Sequence, residues 1–254
     1  MLIALDIGNT NIVIGVFSNN KLSHNFRIVT DKKENSSDLK NNIEELLVKN
    51  KIDISLINGA ILSSVVPSLT TITFDVIIEL FGFEPIVVDH NIISNMPILI
   101  DYPEELGSDR IVNSVGAFSK YKKSLIVIDF GTATTFDCIS SKCEYLGGVI
   151  APGLEISSKA LSKSASKLPV VELKRPRAVI GKNTVDCMQS GLIHGYSSLV
   201  DGMGKKLESE MSDKPYVLAT GGLADLIASE TDCIMSVDNN LTLDGLKILY
   251  ELNS

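Results

Sequence analysis

The segment Ile3-Ala4-Leu5-Asp6-Ile7-Gly8-Asn9-Thr10-Asn11 returns 123 positions later as Ile126-Val127-Ile128-Asp129-Phe130-Gly131-Thr132-Ala133-Thr134. Each copy is an apolar strand, then Asp-x-Gly, then small hydroxyl and amide residues leading into another strand. Similarity at half the chain length indicates duplication, since a solenoid repeats at shorter periods. The length agrees: 254 residues against a ~150-residue domain gives about 1.7 domains. No Pro-, Gly- or Ser-rich linker divides the halves, so two domains sharing an interface are expected, residues 1–115 and 116–254.

The surrounding pattern is α/β. Strand-like runs at 2–5, 12–17 and 22–28 are followed by helical periodicity at 37–51, a buried strand at 60–63, a helix at 68–81 and a strand at 85–88. A Pro-containing loop at 90–107 leads into a helix at 109–120. The series then restarts with strands at 125–128, 134–139 and 145–150, helices at 154–163 and 185–211, a strand at 216–219 and a closing helix at 241–252.

The repeated motif has a chemistry of its own. A glycine after a strand-end Asp allows a tight hairpin and a close approach of backbone to a ligand. The N–H groups of such a turn, with Thr and Asn side chains, form a concave donor array for phosphate oxygens. The adjacent Asp would repel phosphate unless a cation lay between them. Mg²⁺, which binds through one or two carboxylates plus phosphates and water, suits that position. A single copy could equally be an ordinary Asp/Gly hairpin; two copies at half-length argue against it. A further Gly221-Gly222 turn between a strand and a helical pattern lets a flat base or ribose lie against the backbone at a helix N-terminus, although Gly-Gly is also a common structural turn.

Other classes are excluded by composition. Net charge is −8, which disfavours nucleic acid or an anionic membrane as partner. The absence of Trp and 6% aromatics argue against a single-strand stacking platform. The N-terminus lacks a signal-like basic and apolar pair of regions, and no apolar run reaches the ~18 residues of a membrane span. Cys138, Cys143, Cys187 and Cys233 show no metal-ligand spacing and suit reduced thiols in a cytoplasmic protein. His24, His90 and His194, and the basic run Lys174-Arg175-Pro176-Arg177, carry no further functional signal.

Two phosphate hairpins and a late Gly-Gly turn, in this order, resemble the actin, hexokinase and Hsp70 superfamily. Within it, Asp6-Ile7-Gly8-Asn9-Thr10-Asn11, Gly107-Ser108-Asp109-Arg110, Asp129-Phe130-Gly131-Thr132-Ala133-Thr134-Thr135, Gly147-Gly148-x-x-x-Pro152-Gly153 and Gly181-Lys182-Asn183-Thr184 together resemble the type III pantothenate kinases over essentially the whole chain. The resemblance implies duplicated ribonuclease H-like, actin-like lobes, each a mixed five-stranded sheet flanked by helices, with ATP in the cleft between them. It implies transfer of the γ-phosphate of ATP to the primary hydroxyl of pantothenate, the entry step of coenzyme A synthesis. It also implies Mg²⁺, a monovalent cation (potassium or ammonium) and a homodimer.

Carried onto this chain, the resemblance makes Asp109 the general base. The same residue would serve as a helix cap. Gly107, Ser108, Asp109, Arg110 and Thr184 become the substrate contacts. A guanidinium suits the pantothenate carboxylate, while a surface ion pair of Arg110 with Glu104 or Glu105 and a cap role for Thr184 are the structural alternatives. ATP falls to Asp6, Ile7, Gly8, Asn9, Thr10, Asn11, Ile12, Val13, Thr132, Gly221 and Gly222, Mg²⁺ to Asp6 and the monovalent cation to Asp129. The family's aromatic before the Gly-x-Asp-Arg string has no match, since Ile100 stands there with Tyr102 nearby. A kinase of another hydroxyl or carboxylate, and a nucleotide-dependent regulator without turnover, are the competing readings.

Overall fold

The computed structural model describes residues 1–33 and 35–254. In chain order the elements are β1 (Leu2–Ile7), β2 (Asn11–Ser18), β3 (Lys21–Val29), α1 (Ser36–Lys49), β4 (Gly59–Ser64), α2 (Pro67–Phe81) and β5 (Ile86–Val87). There follow α3 (Ser108–Tyr121), β6 (Leu125–Phe130), β7 (Ala133–Ile139), β8 (Tyr145–Pro152), α4 (Leu154–Ser164) and α5 (Thr184–Glu210). The chain ends with β9 (Tyr216–Thr220), α6 (Ala224–Ala228), β10 (Ser236–Val237) and α7 (Leu241–Asn253).

The two sheets have the orders β3-β2-β1-β4-β5 and β8-β7-β6-β9-β10. Adding five to each strand of the first gives the second, and the pairing sense matches as well. In each, the first three strands form an antiparallel meander and the last two join in parallel through helical crossovers. The duplication read from one motif therefore extends to a whole topology. β10 has no counterpart among the sequence-predicted strands, because two residues are too few for an alternating pattern.

Local signals explain the elements that matter. α1 buries Leu39, Ile43 and Leu47 at i, i+4 and i+8, and its cap Asn35 accepts from the Asp38 N–H. α2 begins with Pro67 and stops at Gly82, whose φ of 79° is the left-handed conformation of a C-terminal glycine. One face of the first sheet (Ile3, Leu5, Ile7, Ile12, Ile14, Val16) packs on α1 and α2. The second core joins Ile126, Ile128, Phe130 and Phe136 to α5 through Met188, Ile193 and Val200.

The chain divides into one unit of residues 1–95, 101–116 and 241–254, and another of 96–100 and 117–240. A single cut near residue 115 thus misses two exchanges. α7 returns to the first unit, where Leu241, Leu243, Leu246 and Leu249 are buried; a Cβ at Gly15 would lie 2.9 Å from Leu243. Residues 96–100 join the second unit because Pro97 O accepts the Tyr145 N–H and Leu99 N–H donates to Tyr145 O, both at 2.8 Å. Within the first unit α3 and α7 cross almost backbone to backbone: a Cβ at Gly116 would stand 3.1 Å from the Gly245 Cα. Thr242 Oγ1 adds a 2.7 Å hydrogen bond to buried Asn113. Among the described residues no helix is long and apolar enough to cross a membrane.

Candidate active site

The two acids of the repeated motif occupy equivalent places. Asp6 is the penultimate residue of β1, registered against Val13 on β2 and Ser63 on β4. Asp129 is the penultimate residue of β6, registered against Thr135 on β7 and Thr220 on β9. Each acid thus has a buried hydroxyl residue, Ser63 or Thr220, on its parallel neighbour. Neither hydroxyl was among the sequence candidates; their signal is a polar residue closing an otherwise apolar strand.

The turns differ in length. Ile7 pairs with Ile12 but Phe130 pairs with Thr134, so the first turn is one residue longer and leaves Asn9 and Thr10 exposed. An ungapped alignment of the two motifs slips at this point. Gly8 N–H donates to Asn11 O at 2.9 Å and Gly131 N–H to Ala133 O at 3.1 Å. Neither glycine has a positive φ. A Cβ at Gly131 would meet nothing closer than 3.5 Å, so that glycine keeps space on its open side rather than permitting a special backbone conformation. Ile7 and Ile12 are 0% and 1% exposed in the first core; only their backbone is available to a ligand.

The first turn is braced by residues the sequence did not single out. Thr30 Oγ1 donates to Gly8 O at 2.7 Å and Thr30 N–H to Thr10 O at 3.0 Å. Lys32 Nζ donates to Asn9 Oδ1 at 2.7 Å.

The start of α3 lies against the end of β4. Ser108 Oγ sits 3.0 Å from Ser63 Oγ, accepts from Ser64 N–H at 3.1 Å and donates to Ser64 O at 3.1 Å. Its hydroxyl is therefore engaged inside the protein, and it ties Asp109, the second helical residue, to the strand registered against Asp6. The Asp109 carboxylate accepts the Arg110 N–H at 2.9 Å and lies over Gly107, where a Cβ would come within 2.5 Å of Oδ1. Desolvation raises the Asp109 carboxyl above its ordinary 3.8, against the pull of the Arg110 N–H and guanidinium. Arg110 is half-buried beside it.

In the second unit other residues close around the Gly131-Thr132 turn. A Cβ at Gly153 would meet the Gly131 carbonyl at 2.7 Å, and one at Gly221, whose φ is 95°, would meet Phe130 backbone at 2.7 Å. Gly153 and Gly221 are thus packing requirements of this hairpin, whereas Gly147, whose φ is 119° and where a Cβ would lie 3.6 Å from Ile100, answers a backbone conformation on β8 instead. Tyr196 on α5 donates its phenolic O–H to Pro152 O and pairs with the Thr134 hydroxyl at 2.8 Å, and burial pushes its phenol up. Thr184 is the first residue of α5; Asn183 supplies the cap by accepting from Asp186 N–H at 2.9 Å. The cap alternative for Thr184 therefore falls, and the side chain is exposed.

Among the described residues no group of three or more His, Cys, Asp or Glu could hold a metal ion. Asp6 is a half-buried carboxylate at a turn end. That donor set fits Mg²⁺, which takes one or two carboxylates and completes its shell with phosphates and water, and it does not fit an all-protein metal cage.

A sequence model of the type III pantothenate kinases matches residues 2–206. The type III pantothenate kinase of Moorella thermoacetica is 46% identical over 254 residues, covering all of both chains. That of Geobacter sulfurreducens is 48% identical over 253 residues, covering 100% of this chain and 99% of the other. Among solved structures, MreB 5 of Spiroplasma citri bound to AMPPNP superposes with a TM-score of 0.55 at 12% identity, covering 98% of this chain and 96% of that one. A ROK family glucokinase from Streptomyces griseus in complex with glucose and AMPPNP gives 0.51 at 13% identity, covering 98% and 99%. These two likenesses show the actin-like fold alone.

Proposed function

The chain belongs to the type III pantothenate kinase family, and from that premise we propose how its residues divide the phosphorylation of pantothenate. The reaction uses ATP with a divalent metal and serves coenzyme A biosynthesis. Phosphoryl transfer asks a protein for alignment and charge stabilisation more than covalent chemistry. Asp109 takes the proton of the primary hydroxyl, Arg110 binds the pantothenate carboxylate through its planar fork, and the Gly107 and Ser108 backbone and Thr184 complete the acceptor site. Gly8, Asn9, Thr10 and Asn11 receive the ATP phosphates, with backbone at Ile7, Ile12 and Val13 beside them. Mg²⁺ held at Asp6 would neutralise phosphate charge. Thr132, Gly221 and Gly222 contact the nucleotide, and Asp129 holds a monovalent cation, potassium or ammonium.

The observation that carries this reading is the Ser63–Ser108 contact of 3.0 Å, which couples the helix start bearing Asp109 to the strand registered against Asp6. Base and phosphate turn are thereby parts of one local construction. A homodimer in the cytoplasm is the proposed working form. Exposed apolar side chains in the second unit support the dimer: Ile150 on the edge strand β8, with Val179 and Ile180, are 65%, 68% and 74% exposed. Phosphopantothenate formation from ATP and pantothenate is the test, with and without potassium. The wild-type chain should turn over and respond to potassium, and Asp129→Asn should lose that response; an unchanged potassium titration in the variant would remove Asp129 from the role.

A further inference from the structure

The phosphate turn carries an ammonium group that its motif does not contain. Past β3 the chain runs back along the Gly8–Thr10 turn. Thr30 bonds the carbonyls of Gly8 and Thr10, through Oγ1 at 2.7 Å and N–H at 3.0 Å. Both acceptors are thereby occupied by Thr30. Two residues on, Lys32 Nζ donates to Asn9 Oδ1 at 2.7 Å. Asp31, between them, is turned to its own chain and accepts the Lys33 N–H at 2.9 Å. Asn9 uses one of the three ammonium donors, and Asn9, Thr10 and Lys32 are all exposed.

We propose that Lys32 is a phosphate contact of the nucleotide site, its ammonium moored to Asn9 so that it meets the phosphates bound at Gly8–Thr10. The proposal rests on the reading of that turn as the phosphate site and adds a residue outside its motif. The chemistry is that of a point charge. An ammonium supplies positive charge without the planar geometry of a guanidinium, and its bond to a phosphate oxygen is charge-assisted. If the Asn9 bond were only a loop brace, it would contribute little at so exposed a place.

Calorimetric binding of ATP and of adenosine to the full chain with Mg²⁺, at low and raised salt, decides between contact and brace. Lys32→Gln should weaken ATP about tenfold, as loss of a charge-assisted bond does, and leave adenosine unchanged. It should also flatten the salt dependence of ATP binding, and Lys32→Arg should recover most of the affinity. Wild-type ATP binding by Lys32→Gln, equal weakening of ATP and adenosine, or weakening with an unaltered salt slope would each overturn the assignment. Thr10→Glu tests the underlying site separately by placing a like charge on the turn. If that variant binds ATP as wild type does, the phosphate-site reading fails; if it loses ATP while Lys32→Gln keeps it, only the Lys32 assignment fails.

Discussion

Asp109 shows what one residue must reconcile. Its motif was legible in the chain, where the resemblance made it the base and a helix-cap role was compatible with that. The structure makes it the second residue of α3, with its carboxylate on the Arg110 N–H at 2.9 Å and its carboxyl raised chiefly by desolvation. A raised carboxyl is the better proton acceptor and has a stability cost. Its folded state holds the proton more tightly than the unfolded chain, so the linked stability is present below the ordinary 3.8 and is lost as pH rises through the higher folded value. Asp109→Asn should therefore lower kcat by about 10²–10⁴ with ATP affinity kept. It should also unfold at a higher temperature than wild type at neutral pH, a gap that closes on acidification. Turnover near normal in the folded variant would dismiss the base role, and the pH series of melting temperatures checks the sign.

At the scale of elements, the hairpins and crossovers were readable because period-two and period-3.6 patterns are local. What escaped were contacts made across elements. Ser63 and Ser108 are 45 positions apart in sequence yet meet at 3.0 Å, and no pattern within β4 or α3 announces the pairing. The same holds for the α3–α7 crossing through Gly116 and Gly245. A Cβ at 245 would sit 2.9 Å from the backbone carbon of Val112, and backbone cannot swing aside as a side-chain tip can. Gly245→Ala should cost about 1–3 kcal/mol as overpacking, lowering Tm by roughly 2–4 °C per kcal/mol at this chain size. Because α3 carries Asp109, kcat should fall as well while ATP binding is kept. Unchanged melting and turnover would show that α3 is held by other contacts.

For the whole molecule, the length and the repeat announced two units, and the sheets show the duplication strand for strand. The boundaries were less legible. α7 follows the second sheet in sequence but buries Leu241, Leu243, Leu246 and Leu249 in the first unit. An amphipathic stripe says that a helix packs and is silent on which sheet receives it. Assembly belongs to this scale too. On β8, Leu146 and Ile150 lie on one face of an edge strand, 38% and 65% exposed, a surface that a monomer ordinarily charges or covers. If the proposed dimer uses this face, Ile150→Glu should give a monomer by light scattering with the circular dichroism preserved. A dimer of unchanged stability would place the interface elsewhere.

The sequence by itself determined the α/β class, the duplication, the Asp-x-Gly turns and the family, because each rests on residues adjacent in the chain. The tertiary structure decided what adjacency cannot encode. It set the buried hydroxyl beside each acid, the extra residue that exposes Asn9 and Thr10, the Asn183 cap that leaves Thr184 open, and the ammonium of Lys32 on the first turn. Those features come from strand register and from chain segments that meet only once the sheets have formed. Register is fixed by burial of whole faces rather than by any single motif.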